Sequence, residues 1–178
     1  MILNTVIADT RLQALYQHWS SSRWGRLMPA RADIDPLAIP GNVWPHTMLL
    51  DVIREEGEVR FRYRRVGEVF WQALGREPRG RYVEEVLPET AGYREYVVGI
   101  YQELVSIRRA IYTENTFTLQ GQNLPMLTKR VSLPLSKDGR EVDMVLAGHV
   151  FEYGRLDLHY AFSLVDGLKQ GVRIVLDD

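Results

Sequence analysis

Apolar positions recur along this chain with two different periods, and the switches between them mark its elements. Leu12, Leu15, Tyr16 and Trp19 stand at helical spacing behind Asp9, while Arg11, Gln13 and Gln17 fall off that stripe. The spacing predicts an amphipathic helix capped by Asp9 and ended by Ser20, Ser21 and Ser22. Residues 25–41 hold three prolines and two glycines, which predicts an extended connector, with Asp35-Pro36 opening a short helical turn. The period then drops to two. His46–Ile53 and Val59–Val66 read as strands of a hairpin around a charged turn, with Val59, Phe61 and Tyr63 on one face and Arg60, Arg62 and Arg64 on the other. From Gly67 to Glu89 the chain is broken at Gly75, Pro78, Gly80 and Pro88, so only short helical pieces fit. The longest helix is predicted from Thr90 to Arg109, where Tyr93, Tyr96, Val97, Ile100, Tyr101, Leu104 and Ile107 keep one stripe. Three strand-like runs follow, Ile111–Gln120, Met126–Ser136 and Val142–Tyr153, the first two separated by Gly121-Gln122-Asn123. Asp138-Gly139 predicts a tight hairpin between the second and third. In the tail, His159–Asp166 fits strand or helix, and Gly171–Asp178 reads as a short strand.

The resulting order is ββαααβββ. It predicts an α+β fold with a five-stranded antiparallel sheet and helices over one face. Val142–Phe151 is apolar at nearly every position, so both faces of that strand should be covered. The N-terminal amphipathic helix is the available cover for the second face, in its own subunit or in a partner. On this reading residues 1–24 form that helix, 25–153 the main domain and 154–178 a C-terminal extension.

Two segments, Pro29–Pro40 (PARADIDPLAIP) and Arg60–Gly67 (RFRYRRVG), are the most specific parts of a likeness running from about Leu15 to Glu152. Through them the chain resembles a family of stand-alone PAS-like proteins common in alphaproteobacteria. The resemblance implies a PAS fold with an N-terminal helix and a cytoplasmic signalling role. It implies no particular ligand and no catalytic residues.

Composition narrows the chemistry. With 22 basic and 23 acidic residues the net charge is -1, so no global field draws in nucleic acid or an anionic membrane. No cysteine is present, which removes disulfides, thiolate nucleophiles and zinc-thiolate sites, and with them flavin or thioester-linked photochemistry that needs a reactive thiol. No apolar run approaches a membrane span. Cytoplasmic localisation is the expectation. Haem is not expected either, because the stretch from Thr90 to Arg109 lacks a histidine to act as axial ligand. His18, His46, His149 and His159 lie on separate elements without ligand spacing, so no metal site is expected. The arginine face of Arg60, Arg62 and Arg64 could meet phosphate, but Glu55, Glu56 and Glu58 beside it favour a solvated, ion-paired face.

The leading expectation is a sensor or adaptor that binds a small molecule or partner and passes the signal to a separate protein by contact. Its cavity candidates are Phe61, Tyr63, Phe70, Tyr101, Phe117, Val131 and Leu133. Leu12, Leu15, Tyr16 and Trp19 are the candidate homodimer interface. A ligand-free scaffold is the alternative. A more remote one is a cone-fold isomerase or dehydratase pairing Asp51 or Asp143 with His46 or His149, although both aspartates read as solvated.

Overall fold

The Asp9 carboxylate accepts the backbone N–H groups of Arg11 and Leu12, and the helix it caps, α1, runs Thr10–Ser21. The structure is a computed structural model that describes residues 6–120, 125–152 and 165–176. The predicted connector follows, with short 3-10 turns at Arg31–Asp33, Pro36–Ala38 and Trp44–His46. Strands β1 (Thr47–Glu55) and β2 (Glu58–Val66) are joined through Glu56 and Gly57, both at positive φ (52° and 84°), as a two-residue hairpin turn requires. Three helices come next, α2 (Glu68–Leu74), α3 (Val83–Val86) and α4 (Tyr93–Ile107). Strands β3 (Ala110–Leu119), β4 (Met126–Leu135), β5 (Met144–Glu152) and β6 (Val165–Leu176) complete the described chain. Among the described residues no helix is long and apolar enough to cross a membrane.

All strands join one antiparallel sheet in the order β2-β1-β5-β4-β3-β6. The expected five strands become six, because Val165–Leu176 pairs along β3 from Ala110↔Leu176 to Leu119↔Val165. An edge strand rich in glycine and charge has little apolar periodicity, which is why its length was not apparent. The residues from 159 to 164, read as strand or helix, lie outside the described residues, as does the expected Gly121-Gln122-Asn123 turn. The tight hairpin expected at Asp138-Gly139 is a longer loop. There β4 and β5 separate after Leu135↔Met144, and the Asp138 carboxylate accepts the N–H groups of Arg140 (2.8 Å) and Glu141 (3.1 Å), making a local turn inside the connection. The long helix is also shorter than expected, since residues 90–92 form a 3-10 turn and Arg108 adopts a left-handed conformation (φ 58°).

Both sheet faces are covered, and the core divides in two. Helices α2, α3 and α4 pack over the inner face with Met48, Leu50, Phe61, Tyr63, Ile111, Phe117, Val145 and Ala147. Helix α1 lies on the outer face against Leu49, Tyr112, Val131, Leu133, Leu146 and Val150. Its four stripe residues are all buried within the single chain, and Trp19 donates its indole N–H to the Pro134 carbonyl at 2.8 Å. Reading Leu12, Leu15, Tyr16 and Trp19 as an interface between copies is therefore corrected to intramolecular packing. Gly148 permits this close approach, because a β-carbon there would sit 2.8 Å from the Cδ2 atoms of both Leu12 and Leu15.

Gly67 makes a second close approach. Its N–H donates to Thr47 O at 2.7 Å, and a β-carbon would run into the Pro45 carbonyl and come within 2.6 Å of the Trp44 carbonyl. Backbone atoms cannot step aside as a side-chain tip can. Gly67→Ala is expected to lower stability by about 1–3 kcal/mol, as overpacking does. The measurement is the urea midpoint, and an unchanged midpoint would refute the close-packing argument.

Candidate functional site

Residues on alternate positions of β3, β4 and β5 enter the inner core, and many of them are polar. Register places Thr113 opposite Arg130 and Asn115 opposite Thr128 across β3–β4, and Arg130 opposite His149 across β4–β5. Together with Ser132 these six side chains are at most 1% exposed. Among the described residues, Thr113 Oγ1, both amide atoms of Asn115, Thr128 Oγ1, Ser132 Oγ, Nε and Nη1 of Arg130, and Nδ1 of His149 have no hydrogen-bond partner. Folded proteins rarely bury such groups without a partner.

Helix α4 supplies the roof. Tyr93, Val97, Ile100, Tyr101 and Leu104 occupy its buried stripe. Aromatic rings share this core: Phe61 stands 5.4 Å from Tyr101, Tyr63 5.9 Å from Phe70, Phe70 5.5 Å from the His149 ring, and Tyr93 5.7 Å from Phe117, measured between centroids. Five of the seven expected cavity residues, Phe61, Tyr63, Phe70, Tyr101 and Phe117, lie in the same inner core as the cluster. The other two do not. Val131 and Leu133 face α1, and their neighbours Arg130 and Ser132 take the inner positions. In β4 the cations Lys129 and Arg130 are adjacent, so either choice of face turns one of them toward a covered side. The signal that could have located the cluster was the polar Thr128, Arg130, Ser132 alternation in a strand whose other face was already claimed by Val131, Leu133 and Leu135.

Among the described residues Arg130 has no carboxylate counter-charge, and its polar neighbours include His149 and the Tyr93 phenol. Its Nη2 lies 3.4 Å from His149 Nε2, a long contact, and no described carboxylate forms an ion pair with it. Burial pushes the Tyr93 phenol up to about 12 against the pull of Arg130, and burial also raises Tyr101 and, more strongly, Tyr63. These phenols are neutral and cannot balance the guanidinium, which keeps its charge. Burial, then Arg130 and His46, hold His149 well below its ordinary 6.5. A guanidinium can only donate, so Nε2 accepts and the neutral ring carries its proton on Nδ1.

His46 is a neighbour rather than a member of the cluster. Its Nε2 faces Arg11 Nη1 at 3.0 Å and its Nδ1 donates to the His149 carbonyl at 3.2 Å, linking α1 to β5. Burial and then Arg11 lower its pKa too. The unfolded chain protonates both below 6.5, whereas the folded state resists the proton, most strongly at His149. Stability is therefore expected to be full above that pH and to fall as pH drops, with His149 the larger contributor. Urea titrations between pH 7.5 and 5 measure this, and His149→Gln should reduce the slope. A flat profile would mean that the folded state accepts the protons.

The aspartate–histidine pairs do not assemble. Asp51 lies on the outer face of β1, with Arg64 at 2.7 Å and Arg62 at 3.6 Å, while His149 points inward. Asp143 accepts the Lys137 N–H at 2.6 Å, in the loop before β5. Arg60 pairs with Glu84, so each member of the arginine face has an acidic partner. His18 accepts the Asp35 N–H at 3.1 Å, and His159 lies outside the described residues. A surface groove of about 1060 Å³ lies elsewhere, between Arg31, Arg64, Trp71, Arg79 and Lys137. Arg64 and Arg79 are already paired there, with Asp51 and Glu77, so the buried cluster is the stronger candidate site.

A family model described as PAS domain matches residues 8–146, and the chain belongs to that family. The match takes in α1 as well as the helices and most of the sheet. PAS domains are generally sensor or interaction modules. A comparison with curated proteins finds no match.

Proposed function

We propose that this chain is a sensor that binds a small molecule at the Arg130 cluster, between α4 and the sheet, and signals by contact with another protein. One observation carries the reading: six almost fully buried polar side chains converge on one region with most of their hydrogen-bonding atoms unmatched. A core built only for packing would lose stability at each such atom, by about 1–3 kcal/mol, without return. A bound molecule supplies the missing partners. Its arrival or departure then changes how α4 rests on β3, β4 and β5, and that change is what a partner reads. Haem and flavin have no place in this proposal, so the protein is colourless.

The test is mass spectrometry of the purified protein, first under native conditions and then after denaturation. The expected result is one small molecule per chain, released on unfolding, with no absorption in the Soret or flavin region. A protein free of small molecules in repeated preparations would instead favour a ligand-free scaffold.

A further inference from the structure

The cluster also restricts the class of its ligand, an argument that rests on the small-molecule reading above. Water can satisfy the hydroxyls of Thr113, Thr128 and Ser132 and the amide of Asn115, because these need only hydrogen bonds. Water cannot neutralise a guanidinium that is 1% exposed. The strand neighbours do not help. Glu114 alternates to the outer side, where its carboxylate accepts the Tyr112 hydroxyl at 2.6 Å, and Glu152 pairs with Lys129. Donors dominate the inner cluster: Arg130 Nε and Nη1, His149 Nδ1, the Asn115 amide nitrogen and the hydroxyls. The same inner core holds the rings of Phe61, Tyr63, Phe70, Tyr101 and Phe117, with Phe70 5.5 Å from the His149 ring.

We infer that the ligand is a small organic monocarboxylate, with its carboxylate on Arg130 and its apolar body among those rings. One cation matches one negative charge. A phosphate dianion would leave excess charge in a ring-lined core, and a neutral molecule would leave Arg130 without a counter-charge.

The probes are hexanoate and benzoate, their neutral counterparts hexanamide and benzamide, and inorganic phosphate, each tested by calorimetry and thermal shift on the full chain stripped of bound molecules. Both carboxylates should bind and raise the melting temperature, each at least about tenfold more tightly than its amide. Arg130→Gln should weaken carboxylate binding by about thirtyfold or more and remove the preference over amides. If that variant does not fold, Thr128→Val and Asn115→Ala supply the check, with weaker binding and the preference retained. Amides that bind as well as the acids, phosphate that binds in place of them, or no shift with either carboxylate would each overturn the assignment. A neutral metabolite released from the purified protein would also overturn it but leave the sensor reading standing. A protein that releases nothing and binds none of the probes would end both.

Discussion

Replacing Arg130 by methionine is expected to stabilise the ligand-free protein by about 1–4 kcal/mol, the range seen when buried charges give way to apolar groups of similar volume. The guanidinium has lost its hydration, and what replaces that hydration is one 3.4 Å contact to His149 and the neutral phenols of Tyr93, Tyr101 and Tyr63. A methionine fills comparable space without charge or donors. The gain should appear as a higher urea midpoint with an unchanged m-value. The same substitution should abolish ligand binding, so stability and function move in opposite directions, as is common where a site holds a group the fold would not choose. Both measurements require protein stripped of its ligand, since a bound molecule stabilises the native state by mass action. A methionine variant less stable than the parent would show that the tyrosines and His149 already compensate the charge, and the functional case for the cluster would fall with it.

The largest loss of stability is expected at the other side of the sheet. Trp19→Ala should cost about 3–5 kcal/mol, because the indole is 2% exposed and a cavity remains where it stood. Trp19→Phe keeps most of the apolar area but leaves the Pro134 carbonyl without its donor, and about 1–3 kcal/mol is expected there. The intramolecular position of α1 sharpens the test. A helix folded on its own sheet gives a loss that does not depend on protein concentration, whereas a helix seated on a second copy gives one that does. A loss below about 1 kcal/mol for the alanine variant, or a strong concentration dependence, would contradict the packing described here.

Much of this arrangement follows from local chemistry. The Asp9 cap, the α1 and α4 stripes and the Glu56-Gly57 turn each depend on residues a few positions apart, and all are present. Strand β2 was equally clear. Its Arg60, Arg62 and Arg64 can only face solvent and acidic partners, which sends Phe61 and Tyr63 inward. Strand β4 is harder to orient, because Lys129 and Arg130 are adjacent and either parity turns one cation toward a covered side; only the Thr128, Arg130, Ser132 alternation marks the inner face.

The sequence by itself determined the element order, the α+β class, the cover of both sheet faces and five of the residues that enclose the inner core. These are properties of period, capping and turn chemistry, which act within a single element. Only the tertiary structure decided that Val165–Leu176 closes the sheet as a sixth strand, that α1 covers its own chain, and that Arg130 rather than Val131 faces α4. The physical reason is register. A strand covered on both sides has no solvent face to reveal its parity, so cross-strand pairing with Thr113 and His149 chooses which side chains meet, and that choice buried a lone guanidinium among hydroxyls and rings.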